Sequence, residues 1–213
     1  MQRVNTSLTA DAEKRLLIWI AARLPRWVHS DLLTALGVIG MALSSAAFAL
    51  ARVDQRSLWL VVAGLFLNWF GDSLDGTLAR VRRVERPRYG YYLDHALDMA
   101  GITMLMAGLA ASGFMAPMVA MAVLVGYLLL MGEVFLATHV NGVFRMAVAG
   151  VGPTELRIVL AAGALALFND PRLLGLRLFD LGGALAVAGM AIAFAVTVVR
   201  NARVLNLEET RAR

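Results

Sequence analysis

Four aspartates, Asp72, Asp75, Asp94 and Asp98, interrupt two stretches that are otherwise apolar. An ionised carboxylate at membrane depth is costly and is seldom there without a partner and a task. The first pair is spaced by three residues and the second by four, so each pair shares one helical face. Four converging carboxylates repel one another unless a cation neutralises them, and hard dications with oxygen ligands (Mg²⁺, Mn²⁺ or Ca²⁺) suit such a set. The chain has no cysteine and only three histidines, His29, His95 and His139, which disfavours zinc. Gly71, Gly76 and Gly90 leave room for the approach of backbone or ligand. Arg80 opens an arginine cluster that continues through Arg82, Arg83, Arg86 and Arg88. Dications beside arginines suit a pyrophosphate, because both neutralise phosphate oxygens and the charge moving onto a leaving phosphate. The reaction class these residues indicate is phosphoryl transfer.

The elements that must position them are membrane helices. Hydrophobic residues make up 60% of the 213 and charged residues 16%, with a mean hydropathy of +0.70, which separates the chain from ordinary soluble proteins. Apolar runs near Asp31 to Ala51, Ser57 to Ala79, Tyr91 to Ser112, Ala116 to Val140, Thr154 to Phe168 and Leu181 to Val199 predict six spans. The fifth is the shortest and must draw on Thr154 to Arg157 or on residues past Asn169. All five prolines fall outside these runs or in their first turns. The expected fold is an all-α integral membrane protein in one domain, residues 1–213. It has a cytoplasmic segment 1–30, a six-helix bundle 31–202 and a tail 203–213.

Sixteen of the twenty lysines and arginines fall on the side of the N-terminus, and only Arg52, Arg56, Arg172 and Arg177 on the other. The positive-inside rule then places both termini and the arginine-rich loop in the cytoplasm. The net charge of +5 has the same origin, together with attraction to anionic head groups, and no nucleic-acid partner is required. Met1 to Glu13 is too polar for a signal peptide. Leu16, Leu17, Trp19, Ile20, Leu24 and Trp27 alternate with Lys14, Arg15, Arg23 and Arg26, which predicts an amphipathic helix lying in the interface.

A short loop joins the second and third spans, which predicts antiparallel neighbours. At 1.5 Å per residue, Asp75 and Asp94 lie roughly 6–7 Å deep and Asp72 and Asp98 roughly 12 Å, so the two pairs meet at matching depths. The run Asp72-Ser-Leu-Asp75-Gly76-Thr-Leu-Ala79-Arg80, nine residues, then Gly90-Tyr-Tyr-Leu-Asp94-His-Ala-Leu-Asp98 resembles the signature of the CDP-alcohol phosphotransferase family. That signature is D-x-x-D-G-x-x-A-R, then G-x-x-x-D-x-x-x-D, and all eight of its positions are present.

The resemblance implies integral membrane enzymes, commonly homodimeric, that break the pyrophosphate of a CDP-alcohol. They join the released phosphoalcohol to a second alcohol and expel CMP, one of the two alcohols being lipidic. Carried over, it implies Asp72, Asp75 and Asp94 as ligands of Mg²⁺ or Mn²⁺, two ions where geometry allows. It implies Asp98 as the general base that also touches metal. It implies Asp72, Gly76, Ala79, Arg80 and Gly90 around the CDP-alcohol, with Arg80 holding the phosphates. Many members open the first span with Pro-Asn-x-Leu-Thr. This chain has Ser30-Asp31-Leu32-Leu33-Thr34, with Gly37 following, and Asp31 reads as a helix cap.

Two substrate classes stay open. Small size points to CDP-diacylglycerol with a soluble acceptor. Leu93-Asp94-His95 and Gly152-Pro-Thr-Glu155-Leu-Arg157 instead look like the ethanolamine and choline branch, with a small CDP-alcohol and a lipid acceptor. Candidate acceptor or phosphate contacts are Glu133, His139, Arg145, Glu155 and Arg157. For each there is a plainer alternative: a buried acid bonded to a neighbouring helix for Glu133, a solvated loop for His139 and Arg145, interfacial anchoring for Glu155 and Arg157. An ion-coupled transporter is the competing class. The acids cluster at one interface beside arginines, not at the midplane, and no second motif implies inverted repeats. The expected setting is a prokaryotic plasma membrane, with the site at the cytoplasmic face.

Overall fold

The computed structural model describes residues 3–4, 10–141, 144–145, 153–169, 171–173 and 175–211. Among them are the helices α1 (Ala10–Ala21), α2 (Ser30–Leu50), α3 (Leu58–Arg82), α4 (Pro87–Ser112), α5 (Pro117–Asn141), α6 (Pro153–Ala166) and α7 (Leu178–Arg211). Short strands β1 (Arg3–Val4) and β2 (Phe144–Arg145) pair in parallel, and β3 (Arg172–Leu173) and β4 (Leu176–Arg177) form an antiparallel hairpin.

Local chemistry accounts for the ends. Pro87, Pro117 and Pro153 each open a helix, at the position where the missing N–H has no intrahelical partner to lose. Arg83 (φ 57°) and Gly113 (φ 79°) take the left-handed conformation that stops α3 and α4. The cap of α2 differs from expectation. His29 Nδ1 accepts from the Leu32 N–H at 3.2 Å, while Asp31 sits inside the first turn and pairs with Arg86 across to the α3–α4 loop.

Among the described residues, five helices, α2, α3, α4, α5 and α7, are long and apolar enough to cross a bilayer. The fifth expected span, Thr154 to Phe168, corresponds to α6, which has 14 residues and continues into a 3-10 turn at Leu167–Asn169. At 1.5 Å per residue its α-helical part reaches roughly 21 Å, short of a hydrocarbon core of about 30 Å.

The packing order revises one expectation. α2 packs against both α3 and α4, and these two make little direct contact with each other. The loop joining them is short, yet α2 lies between them as the floor of a cleft.

Small residues make the α2–α3 contact close. A Cβ on Gly71 would lie 2.3 Å from the Leu33 carbonyl oxygen, and one on Gly40 would lie 2.5 Å from the backbone of Asn68 and of Gly64. Backbone therefore meets backbone along this seam, as in tightly crossed membrane helices. Ser44 Oγ donates to the carbonyls of Gly40 and Val61 within it. α4 approaches α2 in the same way, with Gly108 against the backbone of Ser45 and Ser45 Oγ donating to Met104 O.

α1 lies along α3, where Leu17 and Ala21 are buried with Leu33, Leu74 and Leu78. Its Leu16, Ile18 and Trp19 stay exposed. Glu13 ties it down, accepting from Trp69 Nε1 at 2.7 Å and from Thr154 Oγ1 of α6 at 2.8 Å. Arg82 clasps the α1–α2 connection by donating to the carbonyls of Leu24, Pro25 and Val28. On the far side, α4 packs on α5 and α5 on α7.

Candidate active site

The cleft floored by α2 holds the four aspartates. Asp72 and Asp75 come from α3 and Asp94 and Asp98 from α4. Thr34, Gly37, Val38 and Met41 of α2 complete a cavity of about 30 Å³, room for an ion or for one or two waters. The i, i+3 and i, i+4 spacings turn each pair into the cleft, as expected.

The carboxylates are held in different ways. Thr34 Oγ1 donates to Asp75 Oδ2 at 2.6 Å, Ser30 Oγ donates to the Asp75 carbonyl at 2.9 Å, and the Gly76 N–H donates to Asp75 Oδ1. Asp75 is buried, so these donors replace the water it has lost. The Ser30 to Gly37 stretch, where the chain departs from the usual Pro-Asn opening, thus braces the second aspartate through Ser30 and Thr34.

Asp72 is gripped from α6. Arg157 Nη2 donates to Asp72 Oδ2 at 2.6 Å and Arg157 Nε to Asn68 Oδ1 at 2.7 Å. The Arg157 side chain is 12% exposed and that of Asp72 is 32%, so much of this charge-assisted pair is shielded from water. Asn68 Nδ2 donates in turn to the Gly37 carbonyl at 3.0 Å. One amide side chain therefore joins α2, α3 and α6 beside the acids. Asn68 escaped the sequence reading, although a polar residue mid-span, one helical turn before Asp72, was a visible signal.

Among the described residues, no three acids or imidazoles are drawn close enough together to hold an ion as they stand. The donor chemistry nevertheless fits a hard dication, with four carboxylates on one ion-sized cavity and no thiolate in the chain.

The other expected residues divide. Arg80 is exposed, folds back over Gly76 and donates to Thr77 Oγ1 at 3.0 Å. It lies with Ala79 about one turn beyond Asp75 toward the end of α3, and Gly90 stands in open space in the first turn of α4. None of these lines the cavity itself. Glu133 is buried and accepts from Asn201 Nδ2 of α7 at 2.7 Å, which is its helix-bonding role and not a contact with the cleft. His139 is exposed in the last turn of α5. Glu155 lies in the first turn of α6. The side chain of Arg145 is outside the described residues. His95 is buried, with Nδ1 at 2.6 Å from the Tyr91 carbonyl and its ring against Phe135 of α5. Its ring thus packs α4 against α5.

A family model for CDP-alcohol phosphatidyltransferases matches residues 27–199. The chain belongs to that family. It is therefore a transferase of substituted phosphate groups acting in phospholipid synthesis, and an integral membrane protein. The fold of this CDP-alcohol phosphatidyltransferase is similar to that of the phosphatidylinositol phosphate synthase of Mycobacterium tuberculosis, solved with CDP-DAG bound. The TM-score is 0.57 at 21% identity, over 90% of this chain and 92% of that one. No curated relative matches the chain in sequence.

Proposed function

We propose that this enzyme transfers a phosphatidyl group from CDP-diacylglycerol to a small, water-soluble acceptor alcohol and releases CMP. The observation that carries this reading is the convergence of Asp72, Asp75, Asp94 and Asp98 on one cavity, with Arg157 beside them. The acceptor hydroxyl attacks the phosphorus that bears the diacylglycerol. Its oxygen forms the new P–O bond, the phosphoanhydride P–O bond breaks, and CMP leaves with that electron pair. The hydroxyl proton passes to Asp98.

Asp72, Asp75 and Asp94 would hold Mg²⁺ or Mn²⁺, with two ions as the expected number. When bound, the metal neutralises the pyrophosphate and acidifies the attacking hydroxyl, which offsets the weak basicity of Asp98. Thr34 and the Gly76 N–H orient Asp75 for this task. Arg157 keeps Asp72 in place, and near the cleft it is the candidate for the acceptor or its phosphate. Gly76, Ala79 and Gly90 leave space for the cytidine, and Arg80, one turn further out, takes the pyrophosphate from the cytoplasmic side.

The reading includes a prokaryotic plasma membrane, a homodimer, and α6 as a sixth span completed by the residues around it. It also includes α1 as an interfacial helix, supported by its exposed Leu16, Ile18 and Trp19. The alternative with a small CDP-alcohol and a lipid acceptor uses the same residues.

The test is CMP release from purified protein in lipid, with CDP-diacylglycerol, CDP-choline and CDP-ethanolamine each offered against a panel of alcohols. The expected result is release only with CDP-diacylglycerol and one acceptor, lost on chelation and restored by Mg²⁺ or Mn²⁺. Release with CDP-ethanolamine or CDP-choline and a lipid alcohol would move the enzyme to the alternative.

A further inference from the structure

We propose a second, anion-binding site at the opposite membrane face from the aspartates. A cavity of about 410 Å³ opens where the α2–α3, α4–α5 and α6–α7 connections meet. That volume is within the roughly 300–1,000 Å³ usual for small-molecule sites. Arg52, Arg172 and Arg177 line it, with Gln55, Ser112 and Leu178. Among the described residues no carboxylate lines it. Two acids close by in sequence, Asp54 and Asp180, accept instead from the Arg56 N–H at 2.9 Å and the Ala116 N–H at 2.6 Å.

The β3–β4 hairpin makes the convergence more than a topology signal. Its register sets Arg172 directly opposite Arg177 and Leu173 opposite Leu176, with the turn closing at Gly175 (φ 77°). Like charges facing each other across a strand pair are destabilising. Alternation then puts the arginine pair on one face of the ribbon and the leucine pair on the other. The arginines line the cavity, and Leu173 and Leu176 are 57% and 52% exposed.

α7 begins at Leu178 in the cavity wall, so its free backbone N–H groups add positive potential there. Three of the four basic residues on this side thus meet in one place, where an arrangement for membrane orientation alone would scatter them.

Three guanidinium forks around a helix N-terminus suit a phosphate group. The exposed Val53, Leu173 and Leu176 around it favour the phosphodiester of an anionic phospholipid in that leaflet over free phosphate.

The experiment uses the full chain in zwitterionic detergent, titrated with dihexanoyl phosphatidylglycerol, dihexanoyl phosphatidylcholine and inorganic phosphate, with binding read by calorimetry. Phosphatidylglycerol is expected to bind more tightly than phosphatidylcholine. The triple variant Arg52→Gln, Arg172→Gln, Arg177→Gln should weaken it by roughly tenfold or more, the loss of one or two charge-assisted bonds. Asp98→Asn should leave it unchanged. Tighter binding of phosphatidylglycerol than of phosphate assigns a lipid, and the reverse order with the same loss assigns a free phosphate. If the triple variant does not fold, Arg52→Gln is compared with Arg56→Gln, which removes the same charge from the same face outside the cavity. Equal weakening by both single variants, full retention in the triple variant, or loss in Asp98→Asn would each overturn the proposal.

Discussion

The α2–α3 seam and the α5–α7 pair are both made of apolar helix, and they are built in opposite ways. Much of the apolar stretch of α3 is buried, and very little of that of α7. At the seam, backbones touch through Gly37, Gly40, Gly64 and Gly71, and each glycine faces a carbonyl or amide of the other helix. On α7, a Cβ added at Gly182 or Gly189 would meet nothing within 4 Å, and Gly183 faces side chains, Val119 of α5 and Met115, not backbone. The difference teaches where this molecule needs precision. Carboxylates must be set relative to one another to a fraction of an ångström, and that demands helices that cannot slide. The outer helices need only an apolar surface.

The contrast predicts its own largest effect. Gly71→Leu would drive a side chain into the Leu33 carbonyl, which cannot move without displacing α2. The expected outcome is loss of folded protein by size-exclusion chromatography and of all CMP release. Monodisperse, active protein would show that the seam is softer than its distances imply.

Next in size is Asp98→Asn, which should lower CMP release by roughly 10²–10⁴-fold, the usual contribution of a general base. Metal and CDP-alcohol binding should largely survive. A loss of binding equal to that of Asp75→Asn would merge the roles of the two residues.

Arg157→Gln should lower kcat/KM by roughly tenfold and stability by about 1–3 kcal/mol, because it strips a shielded charge-assisted bond from Asp72. Combined with Asp72→Asn, it should cost little more than Asp72→Asn alone if Arg157 acts only by holding that carboxylate. A fully additive loss would give it a separate hand on substrate.

Arg80→Lys should weaken CDP-alcohol binding by several-fold at unchanged stability, since a point ammonium replaces a fork at an exposed position. Unchanged affinity, measured by calorimetry, would remove Arg80 from the pyrophosphate.

The smallest effect belongs to α7. Gly189→Ala should raise stability by about 0.5–1 kcal/mol through helix propensity alone, read as a higher Tm. A fall in Tm would mean that a second copy of the chain covers that face, and the looseness of α7 would then hold only for the isolated protomer.

The chain alone determined the membrane class, four of the five long spans to within a few residues, and the shared faces of the aspartate pairs, while the last helix runs on to Arg211, twelve residues past the expected end at Val199. Hydropathy and a 3.6-residue repeat are properties of single segments, so they are legible without a partner. The eight-position signature likewise lies within Asp72 to Asp98. The tertiary structure decided what those faces meet. No local pattern says that α2 separates α3 from α4, because a short loop limits the distance between helix ends and not what lies between their faces. Arg157 and Asp72 are 85 residues apart, and Glu13 and Thr154 are 141 apart. Such pairings arise only when several helices have settled at once, since each needs its partner's depth and rotation already set. The same holds for Glu133, which Asn201 claimed, and for the three arginines gathered at the far face. Charge and spacing are written along the chain, but convergence is a property of packed helices.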